Sequence, residues 1–291
     1  MKRREFLAAS AVGSAAVAGL TSAVRAQPEA GSEATGAPKL KGRIKHSVCR
    51  WCFNGIDLDV FCRDVSAMGY QSVELVGVAE WPTLAAHGLT CAVAVGPTKI
   101  TSGFNRVENH APYLRRMEEM LPRTAAAGCP MMIVFSGNNA GMSDDEGLKN
   151  CVTGLKEAVK LAEANKVMLV MELLNSKVDH ADYMCRHTKW GVELVKRVES
   201  DWFRLLYDIY HMQIMEGDVI RTVQDNMQHI AHFHTAGVPG RHEIEDKQEL
   251  NYRAICEGIV NAGFTGYIAQ EFIPQHNAMA SLRRAIEICD V

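Results

Sequence analysis

The chain has 291 residues, 47% of them hydrophobic and 22% charged, which excludes disordered, collagen-like and coiled-coil compositions and allows either two small domains or one large α/β barrel. Thirty-one basic against 34 acidic residues leave a formal charge of −3, so no broad positive field exists to draw a nucleic-acid duplex by displacing its counterions. Nine cysteines are too sparse for a small disulfide scaffold, and their odd number rules out complete internal pairing.

Lys2, Arg3 and Arg4 precede an Ala/Val/Gly/Leu run up to Leu20, which is followed by Val24-Arg25-Ala26. A charged start, a short weakly apolar stretch and a small-residue cleavage site are the parts of an export signal. A membrane span needs about 20 predominantly apolar residues, so this shorter, Ala-rich run does not read as a permanent anchor. Arg3-Arg4-Glu5-Phe6-Leu7 resembles a twin-arginine signal over residues 1–26, which implies the twin-arginine export machinery as a partner and a periplasmic location for an already folded protein. Residues 27–40, rich in Pro, Gly, Ala and Glu, read as a disordered spacer, leaving 41–291 for the folded domain. Loss of Lys2, Arg3, Arg4 and Arg25 together with Glu5 takes the formal charge from −3 to −6. All nine cysteines lie beyond residue 26, and a chain that folds in the reducing cytosol can carry them outward as buried thiols. Cys49-Arg-Trp-Cys52 has the spacing of a redox dithiol, but residues three apart on a strand face opposite sides of the sheet.

From Ile44 onward, short β-branched or apolar runs alternate with longer segments of helical period, the pattern of βα units and a parallel sheet. Strands are predicted at 45–53, 72–76, 90–95, 131–136, 167–173, 203–208, 230–234 and 267–272. Helical patterns lie between them at 59–68, 109–127, 144–165, 183–199 and 250–262, with Gly69, Gly128, Asn165 and Gly263 at C-cap positions. Eight such units over about 250 residues predict a single (β/α)8 TIM barrel, an α/β fold. A doubly wound open sheet is the alternative, weakened because no Gly-x-Gly-x-x-Gly turn follows the first strand.

In a barrel of this kind the reacting groups gather at the C-terminal ends of the strands. The fifth predicted strand runs Val-Met-Leu-Val-Met into Glu172, the sixth ends at Asp208, the seventh at His232-Phe233-His234 and the eighth at Glu271. A carboxylate closing an apolar strand is costly to bury unless it is paired or bound to a cation. Three carboxylates and one imidazole at a common rim predict a divalent-metal site, for Mn²⁺ or Mg²⁺ first and Co²⁺ or Zn²⁺ next, because the donors are mostly hard oxygen with no thiolate. Either His232 or His234 could face inward; His234 is chosen because it is nearer the strand end. His211, three residues past Asp208, is placed to donate to a substrate oxygen, and Arg241, in a Gly/Pro loop, to clamp a carboxylate or a hydroxyl pair. Glu74 on the second strand and Asn175 after the fifth are further candidates to line the pocket and bind substrate, with Trp51 and Trp81 as apolar walls.

Three segments carry a family resemblance: Tyr207-Asp-Ile-Tyr-His-Met-Gln-Ile-Met-Glu-Gly217, His234-Thr-Ala-Gly-Val-Pro-Gly-Arg-His-Glu243 and Glu249-Leu-Asn-Tyr252. They resemble the hydroxypyruvate isomerase branch of the xylose isomerase-like barrels, and the likeness runs from about Ile44 to the C-terminus. The resemblance implies metal ligands at Glu172, Asp208, His234 and Glu271, substrate oxygens held by His211 and Arg241, and a small sugar or keto-acid substrate. Because these barrels often pair, it also implies a homo-oligomer. Hydroxypyruvate isomerases tend to carry Gln where this chain has His234, whereas ketose 3-epimerases carry His; Ile244-Glu-Asp-Lys-Gln248 replaces the usual Pro-Gly-Thr-Gly. The expected chemistry is isomerisation or epimerisation through a metal-stabilised enediolate, with Glu172 and Glu271 moving the proton beside a carbonyl. Two alternatives remain: an exported sugar-binding or carbohydrate-processing barrel without turnover, and endonuclease IV-like phosphodiester cleavage. The latter calls for extra histidines from earlier strands, and the second and third strands end without one.

Overall fold

A computed structural model describes residues 39–291; the expected export signal at 1–26 and all but the last two residues of the expected spacer at 27–40 lie outside the described residues. Eight parallel strands form one sheet: β1 Lys45–Cys49, β2 Ser72–Glu74, β3 Val93–Ala94, β4 Met131–Val134, β5 Met168–Leu173, β6 Phe203–Asp208, β7 Ile230–Thr235 and β8 Tyr267–Gln270. Their order is β2-β1-β8-β7-β6-β5-β4-β3. The remaining seam, between β2 and β3, is bridged by hydrogen bonds from Val73 N to Thr90 O (3.1 Å) and from Leu75 N to Val93 O (3.0 Å). The result is the single, nearly closed (β/α)8 barrel that the alternating pattern predicts.

The α-helices of the described residues are α1 Leu58–Ala67, α2 Trp81–Ala86, α3 His110–Ala126, α4 Asp144–Asn165, α5 Thr188–Val198, α6 Ile209–Met215, α7 Val219–Asn226, α8 Tyr252–Asn261 and α9 Ala278–Cys289. Several start where a polar side chain accepts a free N–H of the first turn: Asp57 for α1, Ser143 for α4, Asn251 for α8 and Asn277 for α9. No helix among the described residues is long and apolar enough to cross a membrane.

Side-chain alternation sets what faces the barrel axis. Along β5, Leu169, Met171 and Leu173 join the large core between sheet and helices, while Val170 joins a small inner cluster with Met131, Ile133 and Leu206. The period of two therefore turns Glu172 inward as well. On β6, Phe203, Leu205 and Tyr207 face the helices and Leu206 faces in, which turns Asp208 to the same side.

Three elements depart furthest from their sequence-based extents. The first strand ends at Cys49 because Arg50–Phe53 close into a 3-10 turn, with the Arg50 guanidinium donating to the carbonyls of Phe53 and Ile56. The third strand is only two residues long; just beyond it, a Cβ on Gly96 would lie 1.9 Å from the Ile133 carbonyl oxygen, so only glycine permits that approach. The helix expected from residue 183 begins at Thr188, because Tyr183 is fully buried and its hydroxyl donates to the Glu172 carbonyl at 2.9 Å. Residues 176–187 are thereby held as a loop close to the end of β5.

Candidate active site

Strands β5 to β8 bring Glu172, Asp208, His234 and Glu271 together, all buried, with one donor atom from each within 4.8 Å of the others. His234 Nδ1 lies 3.1 Å from both Glu172 Oε1 and Glu271 Oε2. Asp208 also caps α6, its Oδ1 accepting the His211 N–H at 3.1 Å, which fixes the carboxylate and leaves Oδ2 facing the cluster. Burial pushes the Asp208 carboxyl well above its usual range, and the neighbouring Glu271 charge adds to this. Burial works on Glu271 in the same sense, but His234 and Arg241 outweigh it and hold Glu271 well below the usual range.

Arg241 reaches the cluster from the loop after β7. Its Nη2 donates to Glu271 Oε2 at 2.5 Å and lies 3.7 Å from Asp208 Oδ2. The guanidinium carbon sits 5.1 Å from the ring centre of Trp51 and 5.4 Å from that of Tyr210, so the group is both ion-paired and stacked. Trp51 adds a hydrogen bond from Nε1 to Glu271 Oε1, 2.8 Å.

His211 is completely buried, and burial followed by the Arg241 charge holds its pKa well below the ordinary value, so the ring is neutral. Asn175 settles the tautomer. Its Oδ1 accepts the N–H groups of Val178 and Asp179, so its Nδ2 points at His211 Nδ1, 2.6 Å away. Nδ1 is therefore the acceptor and Nε2 carries the hydrogen. That Nε2 has no hydrogen-bond partner and lies 3.6 Å from Asp208 Oδ2, a buried donor beside the cluster rather than on the cavity lining.

A cavity of about 300 Å³ opens over the cluster, lined on one side by Glu172, Glu271, His180 and Arg241 and on the other by apolar residues including Ile133 and Phe135. Glu74 lies beneath the cluster rather than on the cavity wall: it is fully buried, and its Oε1 is 2.9 Å from His234 Nε2 and 2.8 Å from His232 Nε2. Burial opposes ionisation of Glu74, but the two histidines prevail and hold its pKa at about 2. Trp51 lines the cavity, whereas Trp81 packs on the helix-side core. Cys49 and Cys52 are free thiols, both pushed up by burial.

His180, Tyr183 and Tyr210 escaped the sequence reading. Tyr210 lies inside the Tyr207–Gly217 motif, which was its one available signal; the other two sit on a loop that the pattern assigned in part to a helix.

The donor chemistry of the cluster fits a divalent cation. Three buried carboxylates share one guanidinium and one imidazole, an expensive arrangement without further positive charge, and three oxygen donors with one nitrogen suit a hard or borderline metal ion.

Comparison with known proteins agrees with this architecture. A family profile described as "Xylose isomerase-like TIM barrel" matches residues 62–289. The chain is 34% identical over 125 residues to the 2-oxo-tetronate isomerase of Cupriavidus necator, covering 43% of this chain and 47% of the relative. To the hydroxypyruvate isomerase of Escherichia coli it is 29% identical over 144 residues, 50% and 55% of the two chains. These matches span about half the length of the curated relatives. Two solved structures share the fold: an AP endonuclease, family 2, from Brucella melitensis (TM-score 0.74, 23% identity, 83% of this chain and 96% of that one) and the 3-keto-D-glucoside 4-epimerase of E. coli (0.70, 19%, 84% and 98%). With the profile spanning most of the barrel whose strand ends hold the four donors, the chain belongs to the xylose isomerase-like TIM barrel family.

Proposed function

We propose that the protein is a divalent-metal-dependent isomerase or epimerase of a small sugar or hydroxy-keto acid. The observation that carries this reading is the placement of Glu172 and Glu271 on one cavity, each 3.1 Å from His234 Nδ1, with Asp208 completing the donor set. The names of the curated relatives, a 2-oxo-tetronate isomerase and a hydroxypyruvate isomerase, support the same class of reaction.

A cation held by Glu172, Asp208, His234 and Glu271 supplies positive charge for two neighbouring substrate oxygens when bound. One glutamate takes the proton from the carbon beside the carbonyl and the other returns a proton, on the opposite face of that carbon for epimerisation or on the neighbouring carbon for isomerisation. His211 Nε2–H and the Arg241 guanidinium offer donors to the oxygens that gain charge. Leu75, Val95, Ile100, Ile133 and Phe135 form an apolar wall of the cavity, and Arg241, the one Lys or Arg on its lining among the described residues, is already paired with Glu271. Both features favour a neutral sugar over a small anionic keto acid.

The test is proton exchange in D₂O with ketoses, oxidised sugars and hydroxypyruvate, followed by NMR with and without Mn²⁺. Exchange is expected to need the cation and to fall roughly 10²–10⁴-fold in Glu172→Gln and Glu271→Gln while the fold persists. Full exchange in a chelator-treated sample overturns metal dependence. For the location, we assign periplasmic export to the Arg3-Arg4 signal; joint substitution Arg3→Lys and Arg4→Lys is expected to retain the chain in the cytosol, and undiminished export overturns the assignment.

A further inference from the structure

Below the donor cluster, away from the cavity, lies a second buried polar layer that the reaction does not touch. Glu74 Oε1 meets two imidazoles, His232 Nε2 at 2.8 Å and His234 Nε2 at 2.9 Å, and Glu74 Oε2 accepts from Ser47 Oγ at 2.5 Å. Ser47 Oγ is also 2.9 Å from Ser72 Oγ. Glu74, His232, His234, Ser47 and Ser72 are all completely buried, so their only partners are one another and the barrel.

We propose that Glu74 is the positioning residue of the metal site: it fixes the hydrogen of His234 on Nε2 and so aims the Nδ1 lone pair at the point that Glu172, Asp208 and Glu271 share. The proposal rests on the metal-site reading above. Its chemistry is that of a carboxylate–histidine pair behind a metal ligand, where the far ring nitrogen donates to a carboxylate and the near one is left to coordinate. An ionised carboxylate only accepts, so an oxygen shared by two ring nitrogens takes a hydrogen from each. His232 then serves as a strut. Its hydrogen faces Glu74, and its Nδ1, which has no partner, is left as a bare lone pair rather than a stranded N–H. The Ser47 hydroxyl holds the second carboxylate oxygen and keeps the head group from rotating.

Cys49 Sγ lies 3.6 Å from His234 Nε2 and 3.8 Å from Glu74 Oε1, so Cys49, Glu74 and His234 form a competing donor group in which Nε2 would itself be a ligand. The two assignments exclude each other at that nitrogen.

Three measurements separate them. In ¹⁵N-histidine NMR of the unaltered protein with Mg²⁺ present, His234 is expected as the Nε2–H tautomer; an Nδ1–H tautomer overturns the proposal. Should the protein bind no divalent ion, which sinks the metal reading, Nδ1 faces Glu172 and Glu271 and also carries a hydrogen, and the proposal is decided at Nε2 alone: an Nε2 without a hydrogen overturns it. In calorimetry with Mn²⁺ alone, Glu74→Leu is expected to weaken binding roughly 10–100-fold. Glu74→Gln keeps an oxygen for the two rings and turns its amide toward Ser47, so it is expected to lose less than Glu74→Leu while retaining the fold. Folded Glu74→Leu with undiminished affinity, or Glu74→Gln weaker than Glu74→Leu, overturns the proposal. A merely structural residue would lower the melting temperature without moving the tautomer or the affinity. Stoichiometry with Zn²⁺ is expected to be one ion per chain; a second ion held through Cys49 and Nε2 overturns it.

Discussion

Asp208 serves two structures through its two oxygens, since Oδ1 caps α6 and Oδ2 faces the donor cluster. The substitution Asp208→Asn keeps an acceptor for the His211 N–H and removes a buried charge that stands among Glu271 and Glu172. In chelator, Asp208→Asn is therefore expected to unfold at a temperature equal to or above that of the unaltered protein, yet to bind Mn²⁺ poorly. Asp208→Ala also strips the cap and is expected to be less stable than Asp208→Asn by about 0.5–2 kcal/mol. Thermal unfolding of both variants, in chelator and in Mn²⁺, checks the split; equal stability of Asn and Ala denies the capping role. Asp208, Glu172, His234 and Glu271 were legible in the sequence because each closes an apolar strand, and a period of two then decides the face. The association of Glu74 with His232 was not legible, because it joins residues 158 positions apart across the barrel axis, where no local pattern reports register. Asn175 shows the intermediate case: its position after β5 marked it for the pocket, but only the hydrogen bonds reveal that it orients His211.

The loop that carries Arg241 is built by close backbone approach and then anchored from outside. Gly237 N donates to His242 O at 2.8 Å, and a Cβ on Gly237 would lie 2.3 Å from the Glu243 carbonyl oxygen, so Gly237→Ala must displace the loop and with it Arg241. That variant is expected to keep the barrel's far-ultraviolet spectrum and to lose most proton exchange; full activity would show that the loop yields elsewhere. Glu243 ties this loop to the one before α9, its Oε1 accepting from Gln275 N (2.9 Å), His276 N (3.0 Å) and Ser281 Oγ (3.1 Å). Burial pushes the Glu243 carboxyl up, but the amides of Glu243, His276 and Gln275 and the Ser281 hydroxyl outweigh it and hold the group below its ordinary 4.5. A carboxyl with a lower pKa folded than unfolded contributes stability that is complete above the unfolded value and disappears as pH falls through the folded one. Glu243→Ala is expected to cost about 1.5–3 kcal/mol at neutral pH and to flatten this part of the acid limb in denaturant titrations below pH 5; an unchanged limb removes Glu243 from the account. At this scale the sequence showed the βα alternation, because burial periodicity is local. It overextended β1, whose stop depends on Arg50 turning back onto carbonyls at Phe53 and Ile56, and it began α5 early, because the packing of Tyr183 under the end of β5 is a tertiary contact.

The molecule as a whole is uneven around the barrel. All four proposed ligands come from the consecutive strands β5 to β8, whereas β3 is two residues long and its segment meets that of β2 through three backbone hydrogen bonds, Val73 N to Thr90 O, Thr90 N to Gln71 O and Leu75 N to Val93 O. Any ion that binds only the folded state stabilises it by mass action, by about 2.7 kcal/mol at a hundredfold excess over the dissociation constant. For a barrel of this size that is roughly 5–10 °C in melting temperature, taking about 2–4 °C per kcal/mol. The gain need not be shared evenly, because opening a local segment that leaves the ligands in place forfeits none of the binding energy. Hydrogen exchange followed by mass spectrometry is therefore expected to show the backbone around β2 and β3 exchanging first and at a rate indifferent to Mn²⁺, while peptides from β5 to β8 gain protection with the ion. Fragments carrying Cys91 and Cys256 give an independent reading, since both thiols are buried and free but lie on opposite sides of this division. Alkylation of Cys91, just ahead of β3, should run ahead of Cys256 on α8, and Mn²⁺ should slow only the second. Protection that rises equally in every strand would mean that the seam does not open by itself and that the barrel unfolds only as one unit.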